Sequence, residues 1–220
     1  MNNNESEVGF EVAFEDSSAV KHKIPDNAAE IFCAIKINDG GMLAAVTEGG
    51  GDLDFIGKDG LTPLAMAVMV NSLDCVRVLL DGGAGTEIAV NGFTPLMIAV
   101  QEGYIAIAAL LIEKGANVNA CNAVGLNALM IAARDGHIDI LNLLLDNGAD
   151  AYAVTFGGST ALNAARSFRQ NEAAWVLEKH MGRELAGAPP ELLNARFVMV
   201  HCDEDGSGPD NMHEAAETGH

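Results

Sequence analysis

The sequence predicts an all-α repeat solenoid, in which each unit is a pair of antiparallel helices followed by a short hairpin-like turn. Three landmarks that recur about every 33 residues predict this, since a fixed period of that length is typical of repeat arrays. A Gly-x-Thr-Pro-Leu start at Gly60 returns in altered form at Gly92, Gly125 and Gly158, at spacings of 32, 33 and 33 residues. A Leu-Leu-x-x-Gly-Ala end keeps the same period. A small residue also follows three places after the starting apolar residue, at Ala67, Ala99, Ala132 and Ala165.

Each landmark has a physical reason in a helix pair. Thr62 before Pro63 is a helix N-cap followed by proline at the first helical position. The Leu and Ala that follow form the buried stripe of a short first helix, and a glycine such as Gly136 breaks the chain before the second helix. The second helix carries apolar residues three or four places apart, and a glycine such as Gly115 permits a left-handed cap at its end.

At these residues the chain resembles the ankyrin-repeat family, whose usual unit starts Gly-x-Thr-Pro-Leu-His-x-Ala and ends Leu-Leu-x-x-Gly-Ala-Asp/Asn-x-Asn. The match is close at 92–99 and 111–119, and the resemblance covers residues 26–182, about 70% of the chain. One departure recurs, because other residues replace the family's histidine: Ala65, Met97, Met130 and Asn163. That histidine normally ties neighbouring turns by hydrogen bonds, so we expect looser contacts between the turns here.

The period divides residues 26–182 into five units. These are residues 26–58, 59–90, 91–123, 124–156 and 157–182. In the first unit Glu30 stands at the proline place and Thr47 at a leucine place, and in the last unit Glu178 stands where Leu145 does. Both end units are therefore predicted to be polar caps, as terminal repeats must meet water.

Residues 1–25 are predicted to be an acidic N-terminal arm. Within the arm, Phe10, Val12 and Phe14 alternate with Glu11 and Ala13. Two interpretations stay open: the alternation forms an extended segment laid on the first unit, or the whole arm is disordered.

Residues 183–202 are predicted to be a C-terminal helical cap segment, with a helix over 191–200 that covers Trp175. The tail at 203–220 contains six acidic residues and no Lys or Arg, which is typical of a disordered acidic tail.

The overall charge excludes several classes of partner. The chain has 31 acidic residues against 12 Lys plus Arg, a formal net charge of −19. Direct nucleic-acid binders and peripheral binders of anionic membranes need the opposite sign, so we expect neither. No apolar run is long enough to span a bilayer, and no secretory signal is present. Four widely spaced cysteines do not suggest a disulfide framework, so we expect a cytoplasmic protein, with the nucleus as the alternative.

No pattern in the sequence predicts catalysis. Cys33 and Cys75 align with apolar positions of other units, which indicates core residues, and Cys121 and Cys202 have no His or Asp partner at a recognisable spacing. The six histidines form no H-x-x-x-H pair, and no phosphate-binding loop is present. We therefore predict no enzyme activity, no metal and no cofactor.

The resemblance implies a protein-binding surface on one concave side, made by the hairpin tips and the exposed side of each first helix. The predicted contact residues are Leu61, Met69, Val70, Val90, Phe93, Gln101, Val124, Leu126, Arg134, Phe156 and Phe168. Many are apolar, and exposed contiguous apolar surface marks interaction sites. Two interpretations stay open for Leu61, Phe93 and Leu126: they bind a partner, or they pack against neighbouring turns.

One residue is missing between Ala84 and Gly92 relative to the other units. The hairpin there is predicted to be shorter or differently bent, which gives the concave side a step.

These features together predict a monomeric protein-protein interaction module acting as an adaptor, inhibitor or assembly subunit. Because the chain is acidic, a partner with a basic rim is expected to associate faster. A second hypothesis makes the array a substrate. Asn119 matches the turn asparagine that iron/2-oxoglutarate hydroxylases modify in many ankyrin proteins, although such an asparagine also serves the turn itself.

Overall fold

The computed structural model describes residues 25–187. The predictions for the N-terminal arm before Pro25, for the helix over 191–200 and for the tail at 203–220 lie outside the described residues. Within the described range, ten helices form five consecutive pairs. The helices are α1 Ala28–Lys36, α2 Gly40–Thr47, α3 Pro63–Met69, α4 Leu73–Asp81, α5 Pro95–Gln101, α6 Ile105–Glu113, α7 Ala128–Asp135, α8 Ile138–Asp146, α9 Ala161–Ser167 and α10 Asn171–Gly187.

The helices lie in two layers, which confirms the predicted all-α solenoid. The inner helices are the first of each pair (α1, α3, α5, α7 and α9), and each packs against the next inner helix. The outer helices α2, α4, α6, α8 and α10 pack against one another in the same order. One continuous apolar core runs between the layers through the length of the array. α10 continues to Gly187, five residues past the predicted end of the repeats at 182.

The inner helices begin where the sequence predicts, because a side-chain oxygen caps four of them. Thr62, Thr94, Asn127 and Thr160 each accept a hydrogen bond from the backbone amide three residues later, at 2.9 to 3.3 Å. Such a cap satisfies one of the amides that have no partner inside the helix. Pro63 and Pro95 follow two of these caps at the first helical position.

The hairpins between units differ at one place, between the second and third units. In three hairpins the chain turns through three residues, closed by backbone hydrogen bonds of 2.9 to 3.0 Å at Gly57–Leu61, Asn122–Leu126 and Thr155–Ser159. Val90 and Phe93 instead exchange both backbone hydrogen bonds, at 2.9 and 3.0 Å, across Asn91 and Gly92 alone. Both of these residues have positive φ, 53° and 77°, as a two-residue type I′ turn requires. The prediction of a shorter hairpin is confirmed.

This turn corrects the placement of Val90. The 33-residue alignment assigns Val90 to a hairpin tip, beside the predicted partner contacts. Because the missing residue is lost from the loop itself, Val90 lies on the flank of the hairpin and is 6% exposed, and Asn91 becomes the tip. Val90 is therefore left out of the candidate surface.

A row of side chains ties the turns of successive units together; we call it the turn ladder (Asp54, Glu87, Asn119 and Tyr152). In the first three, a side-chain oxygen accepts a hydrogen bond from a backbone amide of the next unit. These bonds are Asp54 Oδ1 to the Gly85 amide (2.7 Å), Glu87 Oε1 to the Asn117 amide (2.9 Å) and Asn119 Oδ1 to the Asp150 amide (2.8 Å). The Tyr152 hydroxyl donates to the Met181 carbonyl at 3.3 Å. The turns are thus tied by residues other than the histidine that the family uses.

The C-terminal end of the array is polar, as the sequence predicts. Arg166 and Glu178 are exposed, and the Arg166 Nη2 donates to Glu178 Oε1 at 2.6 Å. The equivalent residues one unit earlier are Ala133 and Leu145, which are buried. The last unit therefore replaces two core positions with an ion pair, and residues 25–187 contain no further unit beyond it.

The turn ladder makes a prediction for Asn119. Its side chain also donates to the Gly148 carbonyl at 3.1 Å, so Asn119→Ala removes two hydrogen bonds between units. We expect the free energy of unfolding to fall by about 1–3 kcal/mol, measured by urea unfolding followed by circular dichroism. Asn147→Ala is the matched control, because the Asn147 amide bonds only within its own unit, to the Leu143 carbonyl. Equal effects of the two substitutions would contradict a role for Asn119 in joining the turns.

Candidate protein-binding surface

The inner helices all end at one side of the array, and two residues around each end repeat with the period. We call this set the helix row: Lys36-Ile37, Met69-Val70, Gln101-Glu102, Arg134-Asp135 and Ser167-Phe168. Each inner helix buries one side against the core, and these end positions lie outside that buried side. Eight of the ten residues are exposed, while Arg134 and Asp135 are half-buried.

The helix row is apolar at both ends of the array. At the N-terminal end, Ile37 is 59% exposed, Met69 50% and Val70 42%. At the C-terminal end, Phe168 is 60% exposed. The middle units carry Gln101 and Glu102 at the same places, so water-compatible residues fit these positions. Large apolar side chains here therefore cost solubility without stabilising the core, which is typical of an interaction surface.

Arg134 and Asp135 form an ion pair in the middle of the helix row. The Arg134 Nε and Nη2 donate to the two carboxylate oxygens of Asp135, both at 2.8 Å. This hydrogen bonding raises the pKa of the Arg134 guanidinium. A bidentate pair of this kind satisfies most of the charge of both groups. A partner would meet a nearly neutral pair here instead of a free cation.

The hairpin tips form a second row, which we call the fingertip row: Lys58-Asp59, Asn91, Ala123-Val124 and Phe156. Its two N-terminal tips are polar, whereas Val124 is 58% exposed and Phe156 61% exposed. The amide of Phe156 donates to the Val124 carbonyl at 3.1 Å, which holds these two tips side by side. The C-terminal half of the fingertip row is therefore a fixed apolar patch.

Leu61, Phe93 and Leu126 lie below the tips and contribute less to the surface. All three are half-buried and pack against the core. The interpretation that they fill the hairpins is favoured for most of their area, and only their outer edges are open to a partner.

Two exposed apolar residues near this surface were not among the predicted contacts. Ile37 occupies in the first unit the place that Val70 occupies in the second, so subtracting the period would have found it. Ile56, which is 53% exposed, lies in the first hairpin beside the buried Phe55. The period places Ile56 with Ala89 and Cys121, outside the predicted tips, so it does not identify Ile56 as a contact.

Away from both rows, Trp175 on α10 is 58% exposed. The Lys179 ammonium lies 4.6 Å from the centre of the indole ring, a cation–π arrangement. The segment predicted to cover Trp175 lies outside the described residues.

Of the three described cysteines, two are buried and one is exposed. Cys75 is fully buried, and burial raises the pKa of its thiol, so the reactive thiolate is disfavoured. Cys33 is exposed, in contrast to the core position predicted for it. Cys121 is 7% exposed and disulfide-bonded, which the spacing of the cysteines did not predict.

Two further observations concern residues 25–187 only. No cluster of three or more His, Cys, Asp and Glu side chains there could hold a metal ion. No helix there combines the length and apolarity that crossing a bilayer demands.

The comparison with protein families decides the identity of the array. A family model described as ankyrin repeats, in three copies, matches residues 31–122 and 115–185. The chain belongs to the ankyrin-repeat family. A comparison with curated proteins finds no match. Ankyrin repeats are generally protein–protein interaction modules and are typically non-enzymatic, which agrees with the class of function predicted from the sequence.

Within this ankyrin array, Asn119 has a structural role of its own. The oxygen and the nitrogen of its side-chain amide both bond to the next turn. Asp54 and Glu87, which stand at the same place in earlier units, accept equivalent bonds. In these three units an acceptor at this place joins one turn to the next, whether or not an enzyme modifies Asn119. Hydroxylation of Asn119 stays a prediction.

Leu126 and Val124 test which apolar residues the array needs for folding. Leu126→Glu places a carboxylate against the core, and we expect the free energy of unfolding to fall by about 2 kcal/mol or more. Val124→Glu, two residues away at the exposed tip, is expected to change it by less than about 0.5 kcal/mol. Urea unfolding of both variants makes the comparison. If Leu126→Glu were as mild as Val124→Glu, Leu126 would return to the set of free contact residues.

Proposed function

We propose that this ankyrin array is a non-enzymatic module that holds one protein partner on its concave face, as an adaptor, an inhibitor or an assembly subunit. The observation that carries the proposal is the exposed apolar part of the helix row. Ile37, Met69 and Val70 are each 42% to 59% exposed on adjacent units. Their repeat positions accept polar residues in other units, so the core does not require apolar side chains there.

The shape of the surface favours a protein over a small molecule. The helix row and the fingertip row run along five successive units, and their apolar residues lie at separate places along the array. A small ligand needs an enclosed cavity, whereas protein interfaces place a few apolar anchors within a wide polar surround. Phe156 and Phe168 are suitable anchors, because aromatic residues dominate interface energetics.

The charge of the array favours a partner with a basic rim. Residues 28–182 carry 17 acidic residues and 8 Lys plus Arg, a net charge of −9. Complementary charge around an apolar centre mainly accelerates association and sets specificity. Binding is therefore expected to weaken as salt rises, because exposed charges are screened beyond about 10 Å at 0.1 M ionic strength.

Affinity capture with the full chain as bait tests this proposal. The bait carries Met69→Glu together with Val70→Glu, and captured proteins from the cells that make the chain are quantified by mass spectrometry. We expect at least about a tenfold loss of the partner, since burying an unpaired carboxylate costs more than 1.4 kcal/mol. Ile105→Glu is the matched control, because Ile105 is an apolar residue 44% exposed on the outer helix α6. A partner that survives the double substitution, or is lost only with Ile105→Glu, would move the site away from the concave face.

A further inference from the structure

The two ends of the array are not alike, because the first unit leaves core positions open. Val46 on α2 is half-buried, whereas the residues at its place in the other four units, Leu79, Leu111, Leu144 and Leu177, are all 0% exposed. Met42 is 36% exposed, whereas its equivalents Cys75, Ile107, Ile140 and Ala173 are at most 2% exposed. Cys33 on α1 is exposed, whereas Met66 and Ile131 at its place are buried.

The Met42 and Val46 columns are fully buried in every unit that follows another, and the Cys33 column is buried or half-buried there. They are open in the first unit, where no other helix of residues 25–187 precedes α1. We call this surface the open face (Cys33, Met42 and Val46). At the C-terminal end, the exposed Arg166–Glu178 ion pair stands at places that are apolar in other units. The open face, in contrast, carries no charged residue at its three places. Of the two residues that predict a polar cap here, Glu30 is exposed. Thr47 instead lies in the column that faces the next unit, and its hydroxyl donates back to the Leu43 carbonyl at 2.9 Å.

We propose that residues 8–14 of the same chain cover the open face as an extended segment and complete the N-terminal end of the array. Val8, Phe10, Val12 and Phe14 alternate with Gly9, Glu11 and Ala13. In an extended chain the first set shares one side and the second set the other. The apolar side matches the open face, and the side with Glu11 faces water.

The length of the chain permits this contact. Pro25 enters α1 directly, so the arm starts at the unit whose face is open. The eleven residues from Phe14 to Pro25 span up to about 36 Å when extended, several times the distance of about 8–10 Å between packed helices. Phe32, the other apolar side chain nearby, is already held edge-to-face by Phe55, with ring centres 5.6 Å apart.

Thiol labelling of Cys33 in the full chain tests the proposal, because Cys33 lies within the open face. A maleimide reagent is added to the native protein, and labelling is followed over time by peptide mass spectrometry. In the wild type we expect Cys33 to react at least about tenfold more slowly than in Phe10→Asp/Phe14→Asp, a ratio equivalent to about 1.4 kcal/mol. Gly9→Asp/Ala13→Asp is the matched control, because it adds the same charge on the side that faces water, and it should label as slowly as the wild type.

Three outcomes would overturn the proposal. Cys33 that reacts equally fast in all three proteins shows an open face with no cover. Equally slow labelling in all three proteins shows that something other than the arm covers the open face. Slow labelling that disappears on dilution shows that a second copy of the chain covers it. If Phe10→Asp/Phe14→Asp loses its helical circular dichroism, the labelling rate of Cys33 in the wild type is used instead. Its native rate must then lie at least about tenfold below its rate in denaturant, and equal rates reject the arm.

Discussion

No helix pair in this chain can bury its own apolar surface, and burial against the neighbouring unit is the constraint on which the rest of the structure depends. Leu79, Leu111 and Leu144 occupy one column and are fully buried only because another unit lies beside each of them. The same dependence explains the alanines at the third landmark, since Ala67, Ala99 and Ala132 are fully buried between inner helices that approach closely. The free energy of unfolding of such an array is approximately the sum of the stabilities of the units and of the interfaces between neighbouring units. An end unit has only one such interface.

The same constraint separates the residues that folding requires from those that it leaves exposed. Stacking occupies the stripes between helices, the hairpin flanks and the turn ladder, and it leaves the ends of the inner helices and the hairpin tips free. Residues in those free places are not held by the fold, so their chemistry is available for recognition. Met69, Val70, Phe156 and Phe168 are large and apolar in these places, whereas Leu126 and Phe93 are half-buried and pack against the core.

Much of the fold follows from the sequence because a repeated pattern reports each position several times. The N-caps at Thr62 and Thr94, the paired helices and the shorter hairpin are all read from the period. What the period misses lies where it is interrupted. The alignment misplaces Val90 because it cannot tell which loop residue is missing. The exposure of Cys33 and Met42 depends on their position in the first pair of helices of residues 25–187 and not on the residues themselves. The turn ladder was also missed, since Asp, Glu, Asn and Tyr share no sequence pattern and only their geometry unites them.

Hydrogen exchange of the native full chain, resolved by helix, tests most directly whether stacking on both sides holds this array together. Helices with a neighbouring unit on each side should open only when the array breaks, so we expect the slowest exchange in α3 to α8. Exchange should become faster toward α10, whose outer side has only the exposed Arg166–Glu178 pair. Slowest exchange in an end unit, or equal exchange in all ten helices, would contradict the account.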